Sequence, residues 1–239
     1  MRAAPLLLSL ALAGCASAPP GDIADPFEPM NRRVHGFNKS LDAAVLRPVS
    51  QALVSGQPAE GPGAVEMIGN FGANLALPGK VVNSLLQGRP EPAARNMFRF
   101  MVNSTLGIGG LFDLATEDFD LPEVDTDFGE TLHVWGVPAG AYLELPVLGP
   151  STQRDLVGDI VDVLLIDPLD GVVHRDVRRA GLAARVLSKA GERAQFGSTL
   201  DSVLHESADS YAQTRLLYTQ HRQYELKEEG EVIDPYSDE

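Results

Sequence analysis

The sequence predicts a mainly α-helical fold in a single domain, and three observations carry that reading. Apolar residues recur three or four positions apart in successive segments, from Phe27 to Val45, from Ala64 to Leu75 and from Ala94 to Thr105. Pro and Gly punctuate the gaps, most densely between Gly56 and Gly63. Strand-like alternation is confined to Leu132–Leu145, where Pro138-Ala139-Gly140 offers a turn, so there is room for one short β-hairpin at most. At 239 residues and 44% hydrophobic content the chain can build one sizeable core.

Taken in order, Asp25-Pro26-Phe27-Glu28 reads as a helix start, with Asp as N-cap, Pro in the first turn and Glu three after the cap. Phe27, Met30, Val34, Phe37, Leu41 and Val45 then form an apolar stripe, with Asn31, Arg32, Asn38, Lys39 and Asp42 off it. The helix should end near Leu46, because the residue before Pro48 is pushed away from helical geometry. A second apolar pattern runs through Val49, Leu53 and Val54.

The next helix spans Ala64–Leu75 and closes at Pro78-Gly79; Lys80–Gln87 makes a short one that ends on a left-handed Gly88. Arg89-Pro90-Glu91-Pro92 opens a helix whose apolar positions are Ala94, Met97, Phe98, Met101 and Thr105. The glycines of Leu106–Asp113 stop it. Seven carboxylates and no base follow between Glu117 and Glu130, which reads as a long reversing loop with a solvated acidic tip. Gly107, Gly109 and Gly110 on one side and Gly136 and Gly140 on the other bracket roughly 25 residues, and loops of that length usually serve function. These five glycines are candidate hinges.

Ser151 is positioned to cap a helix with Leu156, Ile160, Val163 and Leu164 on its apolar side. Asp155, Asp159 and Asp162 share a face of it, which reads as its wet side and not as a metal site, since no His stands at ligand spacing. A basic, mostly helical segment carries Arg175, Arg178, Arg179, Arg185 and Lys189; it reads as a solvated face, with the acidic tip or lipid phosphates as the sharper option. Residues 192–204 link to a last helix, capped by Ser207 or Asp209 and ending near Glu229, on which Tyr211, Arg215, Tyr218 and Arg222 align. Residues 228–239 are an acidic tail expected to be disordered.

The N-terminus has its own logic. Arg2 precedes an apolar run to Ala13, too short to span a bilayer and the right length for a signal-peptide core. Leu12-Ala13-Gly14-Cys15 resembles the bacterial lipobox, which would remove residues 1–14 and leave Cys15, the only cysteine, triacylated at the head of a tether over 15–24. Ala16, where inner-membrane lipoproteins often carry Asp, directs the reading to the outer membrane.

A net charge of −14 with dispersed bases argues against nucleic acid. The chain has no nucleophile elbow, zinc-protease motif, phosphate loop or dinucleotide fingerprint. His133, beside Trp135, is better read as a satisfied structural His than as a catalyst. The expectation is no enzyme, no catalytic residue, no metal and no cofactor. Asn70, Asn74, Asn83, Asn96 and Asn103 stand in apolar surroundings, consistent either with local and inter-helix hydrogen bonds or with a polar track through an apolar body.

Jointly, Asp25-Pro26-Phe27-Glu28 with Asn31-Arg32, Phe37-Asn38 and Leu41-Asp42, Arg47-Pro48-Val49, Gly69-Asn70-Phe71, and Leu86-Gln87-Gly88 resemble the MlaA/VacJ lipoproteins. So do Asn103-Ser104-Thr105-Leu106-Gly107, Phe128-Gly129-Glu130-Thr131-Leu132, Trp135-Gly136, Leu145-Pro146 and Gly158-Asp159, so that the likeness covers Asp25 to about Arg222. The resemblance implies a ring-like arrangement of amphipathic helices over 25–227, lying in the outer membrane around a passage for phospholipid. It implies removal of mislocalised phospholipid from the outer leaflet, work beside a trimeric porin, and delivery to a periplasmic carrier of an ABC-type importer. Asn70, Asn74, Asn103, Phe37 and Asn38 are the candidate lining. A structural, porin-binding lipoprotein and a phospholipid hydrolase are the alternatives.

Overall fold

Helix α1 (Glu28–Leu41) sets the pattern for the whole structure, a computed structural model that describes residues 23–55, 63–164, 193 and 196–227. Its apolar stripe lies where the spacing puts it but faces outward: Met30 is 63% exposed and Phe37 53%, while Asn31 and His35 are 2% and 5% exposed. The buried side of α1 is polar. Its start also differs from expectation, since Phe27 is the N-cap and no side chain caps it. The Asp25 carboxylate instead accepts from Asn31 Nδ2 at 2.8 Å and from the Tyr211 hydroxyl.

Pro48 does not end the helix. The chain passes through a π-helical turn (Asp42–Leu46) straight into α2 (Arg47–Ser55). The widened turn absorbs a ring that would otherwise press on the carbonyl four residues earlier. Pro78 likewise fails to divide its segment: α3 runs unbroken over Ala64–Leu86, and Gly88, at φ +75°, provides the expected left-handed exit. Helix α4 (Pro90–Thr105) packs along α3 more extensively than any other described pair of elements. It buries Asn96, Arg99, Val102 and Asn103 and exposes Met97 and Met101, again the reverse of a water-soluble helix.

The acidic stretch is solvated where expected at Glu117, Asp118 and Asp120, but it is structured on either side of them. It contains α5 (Leu114–Glu117), capped by Asp113, and α6 (Phe128–Val134), capped by Asp127. Between them the chain is tied down: Asn96 donates to the Val124 carbonyl at 2.8 Å and accepts the Val124 N–H at 3.2 Å, and Lys80 pairs with Glu123 and Asp125. Glu130 is buried and ion-paired to Arg89. Repulsion at Glu123, Asp125 and Glu130 is thus offset by bases on α3 and the α3–α4 connection, which lie distant in sequence.

The hairpin exists, displaced towards the C-terminus from Leu132–Leu145. Strands β1 (Tyr142–Leu145) and β2 (Gly149–Thr152) pair antiparallel, with Tyr142 opposite Thr152 and Leu145 opposite Gly149. Val134 closes α6, so Leu132–Val134 is helical; the Asp127-x-x-Glu130 spacing was the available sign of that helix. Helix α7 (Gln153–Leu164) follows β2 directly, with Thr152 Oγ1, not Ser151, accepting the Asp155 N–H at 3.1 Å. Gly158 on α7 meets Gly129 on α6 so closely that a Cβ on Gly158 would lie 2.4 Å from the Gly129 nitrogen.

Residues 192–204, expected as a linker, include α8 (Gly197–Asp201) and the start of a second π turn (Ser202–Glu206). Helix α9 (Ser210–Glu225) is capped by Asp209 as expected, and its Tyr211, Tyr218 and Arg222 pack along the body with Arg215 beside them. The signal peptide, Cys15, the Arg175–Lys189 basic segment and the 228–239 tail lie outside the described residues.

Candidate functional site

The interior is where the sequence and the structure are most at odds with an ordinary globular protein. Among the described residues 22 buried side chains are polar or charged and nine are apolar, while large apolar side chains from nearly every helix stand exposed. Burial of so many polar groups is tolerable only when each finds a partner, and here they form linked sets. One set joins Asp155 to Arg222 at 3.1 Å, to the Tyr218 hydroxyl at 2.6 Å and to Arg154. Burial pushes Asp155 up, but Arg222, Tyr218 and Arg154 outweigh it and hold the carboxyl below its ordinary range.

A second set joins Gln87, Thr126, Glu130, Thr131, Asn83 and Asp162, and Asp162 also accepts the Phe128 N–H at 2.8 Å. Of the three acids expected on a wet face, then, Asp155 and Asp162 are committed to buried or half-buried contacts, and Asp159 alone stands exposed. A third set holds α1 to the hairpin. Asn31 Nδ2 donates to the Tyr142 carbonyl at 3.1 Å while its Oδ1 accepts the Glu144 N–H at 3.0 Å, as a neighbouring strand would. Asn38 repeats this at the turn, donating to the Leu145 carbonyl at 2.9 Å and accepting the Val147 N–H at 2.8 Å.

Asn70, Asn74 and Asn103 come together. With Ala73, Leu77, Arg99, Asp113 and Glu123 they line a cavity of about 30 Å³, between α3, α4 and the glycine loop. Asn70 donates to the Leu111 carbonyl, Asn74 to Ser104 Oγ at 3.0 Å, and Asn103 to Asp113 at 2.8 Å. Arg99 grips both Asp113 oxygens at 2.9 and 3.0 Å. The cavity is far too small for a lipid headgroup. Phe37 and Asn38 are not part of it: Phe37 faces outward and Asn38 clamps the hairpin.

The bracketing glycines divide by environment. A Cβ at Gly107 would lie 2.3 Å from the Phe112 carbonyl oxygen, and one at Gly110 would lie 2.5 Å from the Asn74 side chain; Gly140 would meet Gln153 at 2.6 Å. Gly109 and Gly136 have positive φ and open space around them. His133 lies 3.3 Å from an Arg154 nitrogen, and burial with the charges of Arg154 and Arg222 lowers its pKa, which suits a neutral acceptor. Sequence reasoning missed one acid–His cluster: Asp42, Asp201 and His205 bring ligand-type atoms within 4.8 Å of one another, but Arg193 sits between the two acids and Arg47 pairs with Asp201.

A helical domain with a clamped, ion-paired interior and apolar faces turned outward has the build of a protein seated in a lipid interface. The chain belongs to the MlaA lipoprotein family, whose model matches residues 23–225. It is 33% identical over 218 residues to the intermembrane phospholipid transport system lipoprotein MlaA of Escherichia coli, covering 89% of this chain and 83% of that one. The protein of the same name from Haemophilus influenzae is 29% identical over 243 residues, covering 96% and 91%. A solved chain from work on the structural basis for maintenance of bacterial outer membrane lipid asymmetry superposes with a TM-score of 0.71 at 31% identity, covering 85% of this chain and all of that one.

Proposed function

We propose that this chain is an outer-membrane lipoprotein that takes mislocalised phospholipid from the outer leaflet and passes it toward a periplasmic carrier, maintaining lipid asymmetry. The observation that carries the reading is the sidedness of α1 and of the π turn and α2 that continue it, with Met30, Phe37, Val45 and Val49 outward and Asn31, His35 and Asp42 inward. Outward apolar faces stabilise a protein in hydrocarbon, while the inward polar groups, bonded to one another, hold the fold together without a large apolar core. Exposing two acyl chains of about 15 methylenes each to water costs on the order of 24 kcal/mol, so a sheltered path suffices to explain the need for a protein. No covalent step, metal or cofactor enters.

In this reading residues 1–14 are removed, Cys15 carries the acyl anchor, 15–24 is the tether and 25–227 is the lipid-passage domain, in which Asn70, Asn74 and Asn103 brace the glycine loop and α4 through their hydrogen bonds. A trimeric porin and the periplasmic carrier of an ABC-type importer are the partners. The family likeness across 23–225 supports this assignment. The test is mass spectrometry of lipid copurifying with the intact protein, paired with labelling of outer-leaflet phospholipid in cells lacking it. Restored asymmetry on complementation is expected; unchanged outer-leaflet phospholipid in the deletion strain would refute the assignment.

One observation favours a hydrolase as a second reading. Ser210 Oγ lies 3.0 Å from His35 Nε2, and His35 Nδ1 lies 3.3 Å from Glu144 Oε1, a nucleophile–base–acid order. The Ala212 N–H, a helix N-terminal donor that would stabilise an oxyanion, is bonded to the Asp209 carboxylate, which makes the set a structural tie of α1 to α9. Labelling by a fluorophosphonate that disappears in Ser210→Ala would reverse that judgement.

A further inference from the structure

We infer that the small cavity between α3, α4 and the glycine loop is a binding site for one ordered water, and that this water joins Asn74 to Arg99. Both residues are 3% exposed, and each presents one buried polar atom without a hydrogen-bond partner: the Asn74 Oδ1 acceptor and the Arg99 Nε donor. Both residues line the same cavity of about 30 Å³. Leaving a buried donor and a buried acceptor without partners costs each its full desolvation penalty, so one molecule that serves both is strongly favoured.

The chemistry of the walls selects the molecule. An anion is opposed by the Asp113 and Glu123 carboxylates, and a metal cation by the Arg99 guanidinium. What fits is small and neutral, donating to Asn74 Oδ1 and accepting from Arg99 Nε–H, which is water. Asn74 is also the residue four before Pro78, so its main-chain carbonyl lacks the helical N–H that position 78 would supply and is a further acceptor. The amide orientation is fixed independently, since Asn74 Nδ2 faces Ser104 Oγ at 3.0 Å and the Gly109 carbonyl at 3.4 Å.

The site therefore sits where three features meet: the Pro78 position of α3, the buried Arg99–Asp113 pair and the base of the Gly107–Gly110 loop. Water there completes the amide's bonds and holds the loop base against α3. Gly110 lies against the same residue, and a Cβ there would stand 2.5 Å from Asn74 Cβ.

The experiment is a crystal structure of the intact chain at a resolution that shows ordered water, with an anomalous-scattering data set. A single peak within hydrogen-bond distance of Asn74 Oδ1 and Arg99 Nε, without anomalous signal, is expected. A direct Asn74–Arg99 bond with the cavity closed, a clear cavity without density, or an anomalous peak would each overturn the inference. Asn74→Leu, of similar volume and without the acceptor, should lose the peak and lower the melting midpoint by several degrees. An unchanged melt in that variant would equally count against it. Should the variant not fold, the native crystal decides alone.

Discussion

Arg193 grips Asp42 with two nitrogens, Nε to Oδ1 at 2.8 Å and Nη2 to Oδ2 at 3.1 Å, across 151 positions of chain. Both side chains are about 5% exposed, and the pair fastens the π turn after α1 to the segment that leads into α9. Burial pushes the Asp42 carboxyl up, yet Arg193 and His205 outweigh it and hold the group below its ordinary range. Removing Arg193 leaves the buried Asp42 carboxylate with His205 alone, and removing Asp42 leaves Arg193 with Asp201 alone. Arg193→Met should therefore destabilise the protein by about 3–5 kcal/mol, a fall of roughly 6–20 °C in melting temperature for a domain of this size. Adding Asp42→Leu should recover part of it, so thermal melts of the double-mutant cycle measure the coupling, and purely additive losses would refute the pairing argument.

The pH dependence has two opposed parts. Asp42, Asp113 and Asp155 are all held below their ordinary range, so their contribution is present above the unfolded value of 3.8 and is lost as pH falls through the lower folded values. Asp159 runs the other way. Although the residue stands exposed, burial of its carboxyl and the charges of Asp127, Asp162 and Asp155 push it up to about 6, with Arg222 pulling down. A raised carboxyl favours folding fully below 3.8 and loses that advantage as pH rises through about 6. Asp159→Asn should thus raise the melting temperature at about pH 7.5, above the folded value of about 6, and leave it unchanged at about pH 3, below the unfolded 3.8. A gain that persists unchanged at the acid end would exclude the electrostatic account.

Much of the fold was legible because helix periodicity is local information. The spacing of Met30, Val34 and Phe37 located α1, and Asp209 located the start of α9. What the spacing could not reveal is which side faces in, since the same stripe suits a water-soluble core and a lipid face. Nor could it show that Pro48 and Pro78 are tolerated, because a π turn in one case and continued packing of α3 on α4 in the other offset the loss of an N–H. The acidic stretch misled for a related reason: Lys80 and Arg89 lie 43 and 41 positions from Glu123 and Glu130. Asn70, Asn74 and Asn103 were identifiable as a group, and only the fold put them around one cavity.

Anchoring and the outward apolar face should be separable. Cys15→Ser should leave a folded protein that no longer fractionates with the outer membrane through detergent-free washes, since interfacial helices alone bind reversibly. Phe37→Ser, at a side chain 53% exposed, should shift the melting temperature in detergent by only a degree or two and weaken insertion into phospholipid vesicles. Retention of unacylated protein in washed outer membranes would remove the anchor argument. A large loss of stability in Phe37→Ser would show that the residue packs inward.

The glycines give the sharpest test of motion against packing. If the segment between Gly107 and Gly140 must move for lipid to pass, the useful hinges are those with space around them, Gly109 and Gly136, both at positive φ. Gly110 and Gly140 instead carry close contacts, to Asn74 and Gln153, and a side chain there disturbs the folded state directly. Gly110→Ala and Gly140→Val should therefore lower melting temperature and function together. Gly136→Val should cost about 1–2 kcal/mol from its left-handed backbone alone, while Gly136→Asn, which tolerates that region, should cost less. Hinge action predicts that outer-leaflet phospholipid rises in Gly136→Val beyond what its melt explains, with Gly136→Asn intermediate. If both variants keep normal lipid asymmetry while Gly110→Ala loses it along with stability, the glycines serve packing and the segment is a fixed wall.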